Sequence, residues 1–145
     1  MFKIEKATLK DVGEIHKLIG KYAQKGFMLY RPVLEIEYKI RDYFVCRVKN
    51  KVVGCVALRV WNKRSSEIYA LAVDSDYTGQ HIGTNLIKNC INEAKKVKVE
   101  SVFTLTFKQD LFRWFGFKKI NLRDLPKVIF TEKTVNIDKA YGMKL

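Results

Sequence analysis

The chain has 145 residues, 48% of them hydrophobic and 30% charged, an ordinary composition for one globular domain with a single core. No apolar run approaches the ~18–20 residues of a membrane span, and MFKIEKATLK alternates charges without an apolar signal core, so neither membrane insertion nor export is expected. With 28 basic residues against 15 acidic ones the net charge is +13, which favours polyanionic partners; the basic residues are dispersed, which weakens a nucleic-acid reading, and a generally basic background accounts for the excess equally well.

Residues 2–7 alternate apolar and charged side chains and predict a strand. A helix is expected to open at Thr8 or at Lys10-Asp11, to turn Val12, Ile15, Leu18, Ile19 and Tyr22 inward, and to stop at Gly26. Pro32 biases Arg31 toward an extended backbone, so Arg31 falls in a short segment between helices. The next helical period covers residues 33–40, with Val33, Ile36 and Ile40 on one face and Asp42 near its end. Residues 43–49 and 51–61 read as a hairpin turning at Lys49-Asn50-Lys51, with Gly54 marking a bulge or a close approach. After the turn NKRSS comes residues 67–98, the stretch around which the chain is organised.

Within it, residues 68–73 form an uncharged apolar run, compatible with a strand buried on both faces. DSDYTGQ follows. From Ile82 the apolar residues Leu86, Ile87, Cys90, Ile91, Ala94 and Val97 then mark one face of a helix of about four turns. A strand, a glycine loop and a helix N-terminus make a ready anion site, because the first helical N–H groups lack intrahelical partners and Gly79 and Gly83 allow close approach. The alternative is that the glycines only shape a tight turn. Residues 101–106 predict a strand parallel to residues 68–73, since the crossover between them is a helix. A short helix at 110–115, a strand from Gly116-Phe117, a strand-like segment at 128–131 and a final strand at 140–145 complete the chain. Cys46, Cys55 and Cys90 sit in apolar runs and read as small buried hydrophobes of a reducing cytoplasm, not as disulfides or metal ligands.

The segment Val73-x-x-x-Tyr77-Thr78-Gly79-Gln80-His81-Ile82-Gly83 resembles the acetyl-CoA motif V-x-P-x-[YW]-[RQ]-G-x-G-[IL]-[GA] of the GCN5-related N-acetyltransferases, or GNAT family. Ser75, Thr78 and His81 depart from it. The opening K-A-T-L-x-D-V-x-x-I and the segment LFRWFGFKKI are also similar to the family, and the likeness runs from Phe2 to about Ile129. Met28-Leu29-Tyr30-Arg31 and Leu125-Pro126-Lys127-Val128 resemble segments of the single-domain N-acetylglutamate synthases within that family. After Val128 the chain departs from those enzymes.

The resemblance implies an α/β (α+β) GNAT fold: a mixed, mostly antiparallel sheet of six to seven strands with a splayed parallel pair, flanked by about four helices, as one domain over residues 1–145. It implies acetyl-CoA as cosubstrate, no metal, and direct attack of an amine on the thioester. Backbone groups of Leu71, Ala72 and Val73 would take the oxyanion and the pantetheine arm, and Thr78, Gly79, Gln80, His81, Ile82, Gly83 and Thr84 the diphosphate. Glu67, the one acid adjoining the N-terminal end of the apolar run, is the expected base; a carboxylate partly removed from water has a raised proton affinity. The alternative is a solvated strand-end glutamate. Phe112 stands where many members carry a proton-donating tyrosine, so Thr106 is the expected acid. Arg31 first and Lys127 second would hold the acceptor's carboxylates, arginine through its two-pronged donor geometry. The expected activity is acetylation of the α-amino group of a small amino acid, L-glutamate foremost, as in arginine biosynthesis. Acetylation of a peptide or other amine, and a degenerate acyl-CoA-binding regulatory module, are the alternatives. The partner set is then an amino acid and acetyl-CoA in the cytoplasm, without nucleic acid or membrane, with a homodimer as the oligomer to test.

Overall fold

The computed structural model describes residues 1–132 and 135–145. In chain order the elements are β1 (Lys3–Lys6), α1 (Val12–Gln24), α2 (Val33–Tyr38), β2 (Tyr43–Val48), β3 (Lys51–Val60), β4 (Ser65–Val73), α3 (Ile82–Lys96), β5 (Ser101–Leu105), α4 (Gln109–Trp114), β6 (Lys118–Lys119), a one-turn α5 (Ile129–Glu132) and β7 (Ala140–Lys144). The seven strands form one sheet in the order β1-β2-β3-β4-β5-β7-β6. It is mostly antiparallel, with β4 and β5 as its parallel pair. The chain divides into two compact units, Met1–Ala57 with Ala70–Cys90, and Leu58–Tyr69 with Ile91–Leu145.

In the first unit, Val12, Ile15, Leu18 and Ile19 of α1 are buried as their spacing requires. Gly26, at φ 77°, lies just past the helix end. The β2–β3 turn is two residues long, Lys49 at φ 49° and Asn50 at φ 67°, the positive pair that matches the twist of a tight hairpin. The β2–β3 register shifts after Cys46↔Gly54, so Val53 is an extra residue beside Gly54. Gly54 is also a close approach: an added Cβ would lie 3.0 Å from Ile82 Cγ2 and 3.1 Å from Leu86 Cδ1. Two expectations are corrected. Helix α2 ends at Tyr38, and Val33 is 41% exposed, because the six-residue helix turns only Ile36 fully inward.

In the second unit, β5 pairs with β4 from Ser65↔Ser101 to Ile68↔Thr104 and with β7 on its other side. Phe103, Leu125 and Ile129 form a buried cluster, and Trp61, Leu105, Ile120, Val135 and Ile137 pack against it. Residues 128–131, expected to be strand-like, instead enter α5. Pro126 accepts from the amide of Ile129 and Lys127 from that of Phe130, and Leu125 and Ile129, four apart, share one buried face. Val97 lies beyond the end of α3 and is 49% exposed, contrary to its place in the apolar pattern. Lys133 and Thr134, within the segment where the chain leaves the synthase pattern, lie outside the described residues.

The entry to α1 is pinned by one buried carboxylate. Asp11, 3% exposed, accepts from the Thr8 amide at 2.8 Å and from Arg47 Nη2 of β2 at 2.8 Å, while Arg47 also binds Glu5. Burial opposes its charge, but the bonds from Arg47 and Thr8 outweigh burial and hold the carboxyl below its ordinary value. Asp11→Ala should therefore cost about 2–3 kcal/mol in urea unfolding, through lost capping and a stranded guanidinium. With the folded value depressed, this contribution is complete above the ordinary 3.8 and disappears as pH falls through the folded value. The gap between wild type and variant should close in that acid range.

Candidate active site

Helix α3 faces inward with Ile82, Leu86, Ile87, Cys90 and Ala94, each at most 1% exposed. This fixes its first turn against β3, where Gly54 admits Ile82 and Leu86. Between β4 and α3 runs a short 3-10 turn, Ser75–Tyr77, capped by Asp74 accepting from the Asp76 amide at 2.9 Å. Gly79 then takes φ 80°, with open space where a Cβ would stand. His81 takes φ 63°, a left-handed backbone that costs a non-glycine residue about 1 kcal/mol. A histidine at the position of the motif's glycine thus keeps the turn's conformation. The His81 carbonyl accepts the Asn85 amide at 3.0 Å and its side-chain amide at 2.8 Å. Amides at the start of the 15-residue α3 lack intrahelical acceptors, so the turn can receive an anion of diphosphate size.

The strand feeding this turn is distorted where it matters. Ala70 lies inside β4 at φ 56°, a left-handed residue in an extended element. Cys55 donates its thiol to the Ala70 carbonyl at 3.4 Å, and the Ala72 amide bonds back to the same sulfur. Burial pushes that thiol up to about 12, so it serves as a neutral wedge. Tyr22 of α1 donates its hydroxyl to the Val73 carbonyl, and the Asp74 amide donates to Val53 at 2.8 Å. The backbone from Ala70 to Asp74 is therefore fixed from β3 and α1.

In the second unit, Glu67 sits within β4, 2% exposed, accepting from the indole Nε1 of Trp61 at 3.1 Å. The guanidinium of Arg59 lies over that indole, 4.3 Å from the ring centroid. Thr104, at the last β4–β5 pair, gives its hydroxyl to the Ile68 carbonyl at 2.9 Å. The β4–β5 register ends at that pair, and β4 itself runs on to Val73. Thr106 follows β5, 9% exposed, and its hydroxyl oxygen accepts the Lys108 amide at 2.8 Å.

The Acetyltransferase (GNAT) family pattern matches residues 12–117. The chain belongs to the GNAT family. It is an acetyl-CoA-dependent N-acetyltransferase of that type. An uncharacterized N-acetyltransferase of Chlorobaculum tepidum is 32% identical over 131 residues, 90% of this chain and 84% of that one. An amino-acid acetyltransferase of Mycobacterium tuberculosis is 29% identical, over 93% of this chain and 79% of that protein. A structure from M. tuberculosis, in complex with CoA, superposes with TM-score 0.85 at 25% identity, covering 99% of each chain. The N-acetylglutamate synthase of Neisseria gonorrhoeae, complexed with coenzyme A and N-acetyl-glutamate, gives TM-score 0.90 at 22% identity. The present chain covers 35% of that synthase, and the likeness there is one of fold.

Against this GNAT background the expected residues fall as follows. Leu71, Ala72 and Val73 lie on the distorted end of β4, but the Val73 carbonyl is already taken by Tyr22. Thr78, Gly79, Gln80 and His81 are exposed along the turn, and Ile82, Gly83 and Thr84 open α3. The Thr78 hydroxyl is spent on the Ser75 carbonyl at 3.1 Å. Glu67 is buried, not a solvated strand end. Arg31 has a side chain only 12% exposed, bonded to Glu35 at 3.1 Å. Lys127 is exposed on the turn entering α5.

From the sequence, Tyr22 and Cys55 read only as packing residues, and Ala70, Thr104 and Trp61 carry no assigned role. For Trp61 a signal existed: a hairpin turn between 61 and 65 puts residues 59, 61 and 67 on one face of the sheet. Nothing local marks Ala70, whose side chain suits any strand. Among the described residues no group of three His, Cys, Asp or Glu could hold a metal, and no helix is long and apolar enough to cross a membrane.

A β-branched side chain tolerates a left-handed backbone worst. Ala70→Val should cost about 2 kcal/mol or more, read as a lower urea midpoint at unchanged slope, although valine favours strands in general.

Proposed function

We propose that this GNAT enzyme transfers the acetyl group of acetyl-CoA to the α-amino group of a small amino acid, L-glutamate foremost, as one catalytic domain serving arginine biosynthesis in the cytoplasm. The observation that carries the reading is the carboxylate of Glu67, 2% exposed, on the strand whose backbone turns left-handed three residues later. A buried acid on that strand is costly without a task. The amino-acid acetyltransferases among the relatives support the substrate class.

In this reading each group has one job. The amides of the 78–84 turn hold the diphosphate, and the space over Gly79 admits it. With the Ala72 amide engaged by the Cys55 sulfur, the Leu71 and Val73 amides of β4 face the growing negative charge on the thioester oxygen; on a backbone held from β3 and α1, they need no rearrangement as that charge forms. Glu67 accepts the proton of the attacking ammonium, directly or through one water, so that nitrogen gains a lone pair for the carbonyl carbon. As the carbon–sulfur bond breaks, the Thr106 hydroxyl gives its proton to the thiolate and takes the one that the nitrogen of the tetrahedral adduct sheds, so amide and free thiol form together. Arg31, with Lys127 as second cation, holds the acceptor's carboxylate. Its guanidinium is kept in one orientation by Glu35, and a fixed fork recognises a carboxylate better than a mobile one.

Incubation with acetyl-CoA and a panel of amino acids, following free thiol, should give turnover with L-glutamate. Absence of turnover with every amino acid would remove this acceptor class, and tight CoA binding without transfer would favour a regulatory module. Arg31→Ala should raise the KM for the amino acid by roughly 10- to 100-fold while that for acetyl-CoA stays within about twofold. Equal rises in both would contradict the role given to Arg31. Glu67→Gln should lower kcat by about 100-fold or more.

A further inference from the structure

Glu67 does not stand alone. The indole of Trp61, at the end of β3, donates to its Oε1 at 3.1 Å. Arg59, two residues earlier on the same face of β3, stacks its guanidinium 4.3 Å from the centroid of that indole. The cation draws on the electron-rich face of the ring, and the ring's N–H becomes a stronger donor as its electron density is withdrawn. Trp61 is itself immobilised. Its ring packs against the buried cluster of Phe103, Leu125 and Ile129, and Phe103 is the register partner of Glu67 on β5. Leu125 and Ile129 bracket Lys127. The three residues thus form a line, guanidinium to indole to carboxylate, with its middle member locked by packing.

We infer that Trp61 is the positioning residue of the base: its N–H fixes Oε1 of Glu67, and Arg59 on its face strengthens that donor. The inference rests on the reading of Glu67 as base. A rigid donor bonded to one carboxylate oxygen narrows the rotamers the group samples, and so helps to set how the other oxygen is presented to the ammonium. A proton transfer through a carboxylate that samples several orientations is slowed, since the productive geometry is only one of them. An indole suits this task better than a lysine or arginine contact. Its single N–H has a fixed direction set by the packed ring.

The test is a double-mutant cycle in the acetyl-CoA and L-glutamate thiol-release assay. Trp61→Phe should lower kcat by about 10- to 100-fold, with the acetyl-CoA KM within about twofold. In a Glu67→Gln background the same change should cost less than about twofold, because the group it positions is gone. Replacement of Trp61 by benzothienylalanine, which keeps the bicyclic shape and lacks the N–H, should reproduce the loss with folding intact. Arg59→Gln should give a smaller loss that vanishes once Trp61 is Phe. The chain has two tryptophans, so the indole N–H of Trp61 can be followed by NMR; its resonance should move upfield in Glu67→Gln whatever the acceptor. Equal losses in both backgrounds, or a benzothienylalanine enzyme of wild-type kcat, would overturn the inference and leave Glu67 as base. Wild-type kcat in Glu67→Gln would overturn the base itself, and this inference with it. An unmoved indole resonance would also refute the proposed contact.

Discussion

The fold turns on the fixed departure of β4 from a regular strand between Ala70 and Asp74. A φ of 56° in the middle of a strand reverses which side each following amide faces. Left alone, the chain would relax to the extended form, since alanine has no reason to be left-handed. Here relaxation would break contacts on both flanks. Cys55 grips the Ala70 carbonyl and the Ala72 amide, Tyr22 grips the Val73 carbonyl, and Val53, itself the extra residue of a bulge, accepts from Asp74. Strain at the site is thus held by ordinary packing and hydrogen bonds around it.

The same region explains three features that look unrelated in the sequence. Gly54 has no side chain because Ile82 and Leu86 need its volume. The buried cysteine next to it is chemically quiet, its thiol pushed up to about 12, and its use is as a small donor that fits under a bulge. His81 stands at the glycine position of the acetyl-CoA motif that this segment resembles, yet its backbone is left-handed at the turn into α3. Of the two positive φ values in the turn before α3, that of Gly79 needs glycine for conformation alone, since a Cβ there would meet nothing.

Charge is handled differently at the two ends of the chemistry. The molecule carries +13 overall, yet two of its partly buried arginines are paired with acids, Arg31 with Glu35 and Arg47 with Asp11 and Glu5. Glu67, the buried acid of the proposed site, faces an indole at 3.1 Å with a guanidinium stacked behind it.

Regular elements were legible in the sequence because short-range spacing dictates them. The apolar periods of α1 and α3, the two-residue turn at Lys49-Asn50, and the strand–glycine–helix order leading to a parallel pair all follow from local rules and from the handedness of crossovers. The motif from Val73 to Gly83 was enough to point to the family. Local rules failed at the ends of elements, at Val33, at Val97 and in residues 128–131, where tertiary burial decides which apolar residues are used and Leu125 with Ile129 make a helical face from an apparent strand. The left-handed Ala70, the occupation of the Val73 carbonyl by Tyr22, and the line from Arg59 through Trp61 to Glu67 were beyond it. Those depend on partners from 6 to 51 positions away in the chain, and no residue's own propensity records which distant neighbour will hold it.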